Sequence, residues 1–107
     1  MEFSPISKSW EFNEIYSKAK KWHCDCAVVY YLAKDENKFS VIASKKMGNA
    51  VKRNRAKRVV KAAFLDLKDE LKPGSYVIIT RVGINDMKFS DIKSSFKWSF
   101  KRLDAIK

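Results

Sequence analysis

Apolar positions recur along this chain with two periods, and each change of period marks an element. Phe12, Ile15, Tyr16 and Ala19 fall at helical spacing and predict a helix over 9–21. Ser9 is placed to cap its start, and Lys18, Lys20 and Lys21 suit the negative end of its dipole. Residues 27–32 (AVVYYL) and 39–43 (FSVIA) are β-branched and aromatic and predict two strands. The polar stretch Lys34-Asp35-Glu36-Asn37 between them reads as a turn, so the two strands are expected to form a hairpin. Met47-Gly48-Asn49 breaks the chain, and a second helix is predicted over 50–71, with Ala56, Val59, Val60, Ala63, Phe64 and Leu67 on one stripe. Lys72-Pro73-Gly74 ends it. Residues 76–81 (YVIITR) form a continuous apolar run, as a central, covered strand requires. After a loop over 82–88, Ser90 is expected to cap a last helix in which Ile92, Phe96, Phe100 and Leu103 share a face. Helices around a small sheet make an α+β sandwich, and 107 residues suit one domain spanning 1–107.

Charge changes the picture. The chain carries 23 Lys and Arg against 12 Asp and Glu, a net +11. Nine of the basic residues, and no acid, lie between Glu36 and Asp66; the rest of the chain is nearly balanced. Like charges at helical neighbour spacing repel, so this cluster is costly unless an external anion neutralises it. On the second helix Asn54, Arg55, Lys57, Arg58 and Lys61 fall outside the apolar stripe, with Lys45 and Lys46 just ahead; Arg53 and Lys52 lie toward the apolar side at the first turn. Arg forks and Lys ammonium groups suit phosphates, and the helix start near Asn49 adds backbone N–H donors. The partner implied is a nucleic acid. Single-stranded RNA is held by aromatics beside a basic surface, and Phe12, Tyr16, Tyr30, Tyr31 and Tyr76 are the candidates. The same residues also serve as ordinary core.

Other chemistry is sparse. No apolar run approaches the ~20 residues of a membrane-spanning helix. Residues 1–5 do not lead a basic segment into an apolar core, so no secretory signal and a cytoplasmic location are expected. Cys24 and Cys26 are then reduced thiols. With His23 they supply three ligand types and no visible fourth, so strand-edge residues are the simpler reading than a zinc site. No Ser/His/Asp set, paired-carboxylate motif or metal cluster accompanies the single histidine, so neither catalytic nor metal residues are assigned.

The stretch SKKMGNAVKRNRAKR resembles the signature of the bacterial ribonuclease P protein subunit, roughly Ser-x-Lys-x-x-Gly-x-Ala-Val-x-Arg-Asn-Arg-x-Lys-Arg. Ser44, Lys46, Gly48, Ala50, Val51, Arg53, Asn54, Arg55, Lys57 and Arg58 all match it. EFNEIY, VVYYL and YVIITR resemble the family's first helix, first long strand and the strand after the signature helix. The resemblance implies an α-β-β-β-α-β-α sandwich on a four-stranded sheet, with a left-handed β-α-β crossover, a fold shared with the second domain of a ribosomal protein. It implies a non-catalytic subunit of an endoribonuclease that removes the 5′ leader of precursor tRNA, the catalytic RNA subunit carrying the chemistry with Mg²⁺ held by RNA. The implied partners are that RNA, in a 1:1 ribonucleoprotein with a monomeric protein, and precursor tRNA, with no membrane. Carried over, Lys45, Lys46, Arg53, Asn54, Arg55, Lys57, Arg58 and Lys61 bind the RNA subunit; Phe12, Tyr16, Tyr30 and Lys8 bind the leader. The chain departs from the pattern before the signature, where Lys38-Phe39-Ser40-Val41-Ile42-Ala43-Ser44 stands for Arg-Val-Gly-Phe-Ser-Val-Ser. The competing readings are a structural RNA-binding protein, ribosomal or chaperone-like, and a stand-alone nuclease, which lacks the residues for the chemistry.

Overall fold

A computed structural model describes residues 2–107. The chain runs β1 (Ser4–Pro5), α1 (Ser9–Lys18), β2 (Lys20–His23), β3 (Ala27–Ala33), β4 (Asn37–Ile42), α2 (Ala50–Leu67), β5 (Gly74–Thr80) and α3 (Phe89–Arg102). Single 3-10 turns lie at Lys45–Met47, Lys68–Glu70 and Ile84–Asp86. The strands form one sheet in the order β1-β4-β5-β3-β2. From α1 onward this is the expected α-β-β-β-α-β-α order. The sheet has five strands instead of four because Ser4–Pro5 lies alongside Lys38 and Phe39 at the outer edge of β4. A proline is tolerated there, since an edge strand leaves its missing N–H outside the ladder.

Four local expectations are corrected. The first helix stops at Lys18, and its N-cap is Lys8, not Ser9; the Glu11 carboxylate reaches back to accept from the Lys8 backbone N–H at 3.3 Å. Lys20 and Lys21 belong instead to β2, antiparallel to β3, with Lys21 opposite Tyr30 and His23 opposite Val28. The hairpin is therefore β2–β3. The strands expected to pair, β3 and β4, are separated by β5, which is antiparallel to β3 and parallel to β4. Gly74 of β5 pairs with Ala33 on one side and Asn37 on the other, so the loop over 34–36 passes across the start of β5. Strands two apart lie ~9.6 Å from each other, well within the ~15 Å that four Cα steps reach. Only glycine fits at that crossing: a Cβ on Gly74 would meet the Leu32 carbonyl oxygen at 2.6 Å and Tyr31 Cε1 at 2.7 Å. The second helix ends at Leu67, short of residue 71, and the last begins with Phe89 behind Lys88 as N-cap, two residues earlier than a Ser90 cap implies.

The sheet divides the molecule into two unequal layers. On one face five of the six predicted stripe residues of α2 (Ala56, Val60, Ala63, Phe64, Leu67), with Ile92, Phe96, Phe100 and Leu103 from α3 and its end, bury Val29, Tyr31, Val41, Tyr76 and Ile78; the sixth, Val59, is half-buried at the margin. Phe39 stacks on Phe64 at 3.8 Å between centroids, and Tyr76 and Phe100 meet Phe64 edge-on. The other face carries the alternate residues, among them Tyr30, Leu32, Val77 and Ile79, and packs against Ile15 and Phe12 of α1, Ala19 at its end and Ile6 ahead of it. One ten-residue helix covers part of a five-stranded sheet, and the remainder of that face stays half-exposed.

Candidate nucleic-acid interface

The basic face of α2 is fixed by what holds the helix from within. Its buried stripe sets its rotation, and Asn49 caps its start, with Oδ1 accepting from the Lys52 backbone N–H at 3.0 Å. Gly48 precedes the cap at φ 114°, where a Cβ would lie 2.8 Å from Lys52 Cδ. Met47 is buried and anchors the 3-10 turn that carries Lys45 and Lys46 outward. With these constraints Lys45, Lys46, Asn54, Arg55, Arg58 and Lys61 are exposed, while Arg53 and Lys57 are half-buried. Arg53 does lie toward the packed side, and its Nε is buried without a hydrogen-bond partner among the described residues.

Ion pairing separates these cations from the rest. Lys18 and Lys34 pair with Glu14, Lys38 with Glu11, Lys72 with Asp104, Lys93 with Asp66 and Lys97 with Glu70. Among the described residues, none of Lys45, Lys46, Arg53, Arg55, Lys57, Arg58 and Lys61 pairs with a carboxylate. The first turn of α2 also holds no acid to balance the positive end of its dipole. This surface stores unneutralised positive charge and matches a polyanion. Arg55 and Arg58 further flank a shallow groove floored by Val59, Ala62 and Phe89, an apolar platform beside two guanidinium forks. Phe89 comes from the other end of the sequence, and no spacing within α2 pointed to it.

The second surface lies on the opposite face of the sheet. Tyr30 and Tyr31 are adjacent on β3 and point to opposite faces; Tyr31 and Tyr76 are buried core, which removes them as stacking candidates. Phe12, Tyr16 and Tyr30 remain together: the Phe12 and Tyr16 rings are 6.3 Å apart, and Tyr16 meets Tyr30 edge-on at 5.2 Å. Ile15 anchors α1 at 1% exposure, while Tyr16 beside it stays 42% exposed. Burial of its inner edge raises the Tyr16 phenol above its ordinary 10.0. Lys8 is exposed one turn before Phe12, whose N–H donates to the Lys8 carbonyl at 3.3 Å, so it continues the same row. Lys21 was assigned by sequence to a helix end; as the exposed cross-strand neighbour of Tyr30 it places a further cation on this face. Its signal was hidden in an unrecognised strand.

A cavity of about 730 Å³ under the start of α1 adjoins this row, with Lys8, Lys34 and Lys38 in its lining. Of its lysines, Lys38 bonds Glu11 and Lys34 bonds Glu14, while Lys8 stays exposed. The Lys38 ammonium holds the Glu11 carboxyl below the ordinary carboxylate range. Among the described residues no group of three or more His, Cys, Asp or Glu is placed to hold a metal ion. Mg²⁺ takes oxygen ligands, and the cationic and aromatic groups of both surfaces do not fit it. His23 stands exposed on β2.

Comparison with known proteins agrees with both the sheet and the signature. The ribonuclease P family model matches residues 2–104. The ribonuclease P protein component of Bacillus cereus (strain B4264) is 41% identical over 101 residues, covering 91% of this chain and 88% of the relative. That of Geobacillus kaustophilus is 34% identical over 106 residues, covering 95% and 88%. The Staphylococcus aureus RNase P protein superposes with a TM-score of 0.85 at 28% identity, covering 99% of this chain and all of that one. The Thermotoga maritima RNase P protein, at 22% identity, shares the fold with a TM-score of 0.80 over 95% of this chain and 97% of that one. With an unpaired basic helix on one face of its sheet and an aromatic step on the other, this chain belongs to the ribonuclease P protein family and is a protein component of tRNA processing.

Proposed function

We propose that this chain acts as the non-catalytic protein subunit of a ribonuclease P ribonucleoprotein, one protein per RNA. The α2 face with Lys45, Lys46, Arg53, Asn54, Arg55, Lys57, Arg58 and Lys61 docks on the RNA subunit. The α1–sheet face, with Phe12, Tyr16, Tyr30, Lys8 and Lys21, holds the single-stranded 5′ leader of precursor tRNA. The observation that carries the reading is the separation of the two surfaces by the sheet. Unpaired cations on one side suit a folded RNA's phosphates; partly exposed rings on the other suit unpaired bases. A subunit that grips catalyst and substrate at once raises the effective concentration of the leader at the RNA's reactive site. The bond-breaking step, and the Mg²⁺ it uses, belong to RNA phosphates in this reading.

Reconstitution tests it. The RNA-free protein is added to a bacterial ribonuclease P RNA, and cleavage of precursor tRNA is followed at low Mg²⁺. Cleavage at the mature 5′ end only when both are present is the expected result. Tight RNA binding without stimulation favours a structural RNA-binding role instead, and cleavage by the protein alone overturns the assignment of chemistry to RNA.

A further inference from the structure

The turn that joins β2 to β3 contains a feature that neither RNA surface uses. Cys24 and Cys26 flank Asp25 there, and both are free thiols with their sulfurs 3.8 Å apart. The turn is firmly held. The Cys24 N–H donates to the Ala27 carbonyl at 2.9 Å, the Arg81 N–H donates to the Cys26 carbonyl at 2.9 Å, and Arg81 Nη1 donates to the Cys24 carbonyl at 3.3 Å. The two thiols are unequal. Cys26 is fully buried in the main core, whereas Cys24 is half-buried at its margin. The hydrogen bond from the Cys26 thiol holds the Cys24 thiol down at about 6, and the same bond pushes Cys26 up. An accessible sulfur that ionises first, beside a buried sulfur within contact distance, is the arrangement of an attacking thiol and its resolving partner.

We propose that Cys24 and Cys26 form a peroxide-responsive dithiol that closes to a disulfide within the β2–β3 turn. The Cys24 thiolate attacks one oxygen of hydrogen peroxide; an S–O bond forms, the O–O bond breaks, and hydroxide leaves, giving a sulfenic acid. Cys26 then gives up its proton and attacks the Cys24 sulfur; the S–S bond forms, the S–O bond breaks, and the hydroxyl departs with that proton as water. Two thiols and one peroxide thus become one disulfide and two waters. A bridge between residues two apart in a tight turn is strained, which places it among the easily reduced disulfides. A dithiol reductant reopens it by exchange, so the site is reversible in a reducing compartment.

The test uses the full chain. The protein is treated with hydrogen peroxide, quenched with catalase, denatured, labelled with a maleimide and weighed intact. The expected result is the loss of two hydrogens, with neither thiol labelled and both recovered after dithiothreitol. Proteolysis before Asp25 then leaves the two fragments joined unless they are reduced. Cys24→Ser is expected to lose no hydrogens and to keep Cys26 open to label, and Cys26→Ala to accumulate a dimedone-trappable sulfenic acid at Cys24. Retention of both thiols by the parent chain overturns the proposal, as does oxidation to a sulfinic acid without a link, or a link that joins two chains. The parent chain's mass decides the matter even if a variant fails to fold.

Discussion

Neighbouring residues on α1 are built for opposite jobs, and this yields a discriminating pair of variants. Ile15 is wholly buried against Val77, while Tyr16 is only edge-packed against Tyr30. Tyr16→Ala is expected to weaken leader binding by ~1–3 kcal/mol, the worth of one base stacked on an aromatic ring, with the thermal unfolding midpoint little changed. Ile15→Ala is expected to cost ~2–5 kcal/mol of stability. Circular dichroism melts and leader-binding titrations on both variants check this; a Tyr16 variant that unfolds like the Ile15 one returns the ring to the core. Glu11 makes a second prediction. Lys38 lowers its carboxyl below the ordinary 4.5. A lowered folded value means that the pair stabilises the fold fully above the ordinary value, and that this contribution is lost as pH falls through the folded value. Glu11→Gln keeps an oxygen for the Lys8 N–H but loses the charge. It is expected to be less stable than the parent near neutral pH and equal to it in strong acid, as urea midpoints across that range report; a gap that does not close with acid counts against the pair.

The elements show which parts of the fold were legible in the sequence. The inward stripe of α2 and the apolar run of β5 read correctly because burial on one face, or on both, leaves a period. β2 left none: three of its four residues are exposed and its pairing is backbone to backbone, so Lys20 and Lys21 passed for a helix end. Lys21 was missed as a candidate beside Tyr30 for the same reason. The aromatic row was visible as helical spacing, but spacing did not say that Ile15 takes the core position and leaves Tyr16 at the margin. The β3–β4 link was short enough for a hairpin, and nothing local revealed that β5 slots between the strands. Gly74 is the one residue that records it. Gly74→Ala is expected to destabilise the protein by more than ~1 kcal/mol, because the added methyl group meets the Leu32 carbonyl and the Tyr31 ring. Gly83→Ala is the control: its Cβ would meet nothing within 4 Å, although φ is 106° there, so its cost is confined to backbone strain. Urea unfolding of the two compares a clash plus strain with strain alone, and equal losses would show that β5 yields at its start.

At the scale of the molecule, one sheet keeps the basic and the aromatic surfaces apart, so under the proposed function their salt dependences should separate. Docking of α2 on a structured RNA releases counterions from the phosphates it neutralises. If six of its unpaired cations engage, the logarithm of the binding constant should fall against the logarithm of salt with a slope of about −4 to −5. Arg55 and Arg58 are exposed and unpaired, so Arg55→Ala combined with Arg58→Ala should flatten that slope by about 2 while the fold survives. Tyr16→Ala should leave the slope for the RNA subunit unchanged, because its ring carries no charge and faces away from α2. Measuring both variants against the RNA subunit across a salt series gives the comparison. A slope near zero for the parent would mean that the basic helix is not the docking surface. A shallower slope for the Tyr16 variant would mean that both faces grip one RNA, and the division of labour across the sheet would fall.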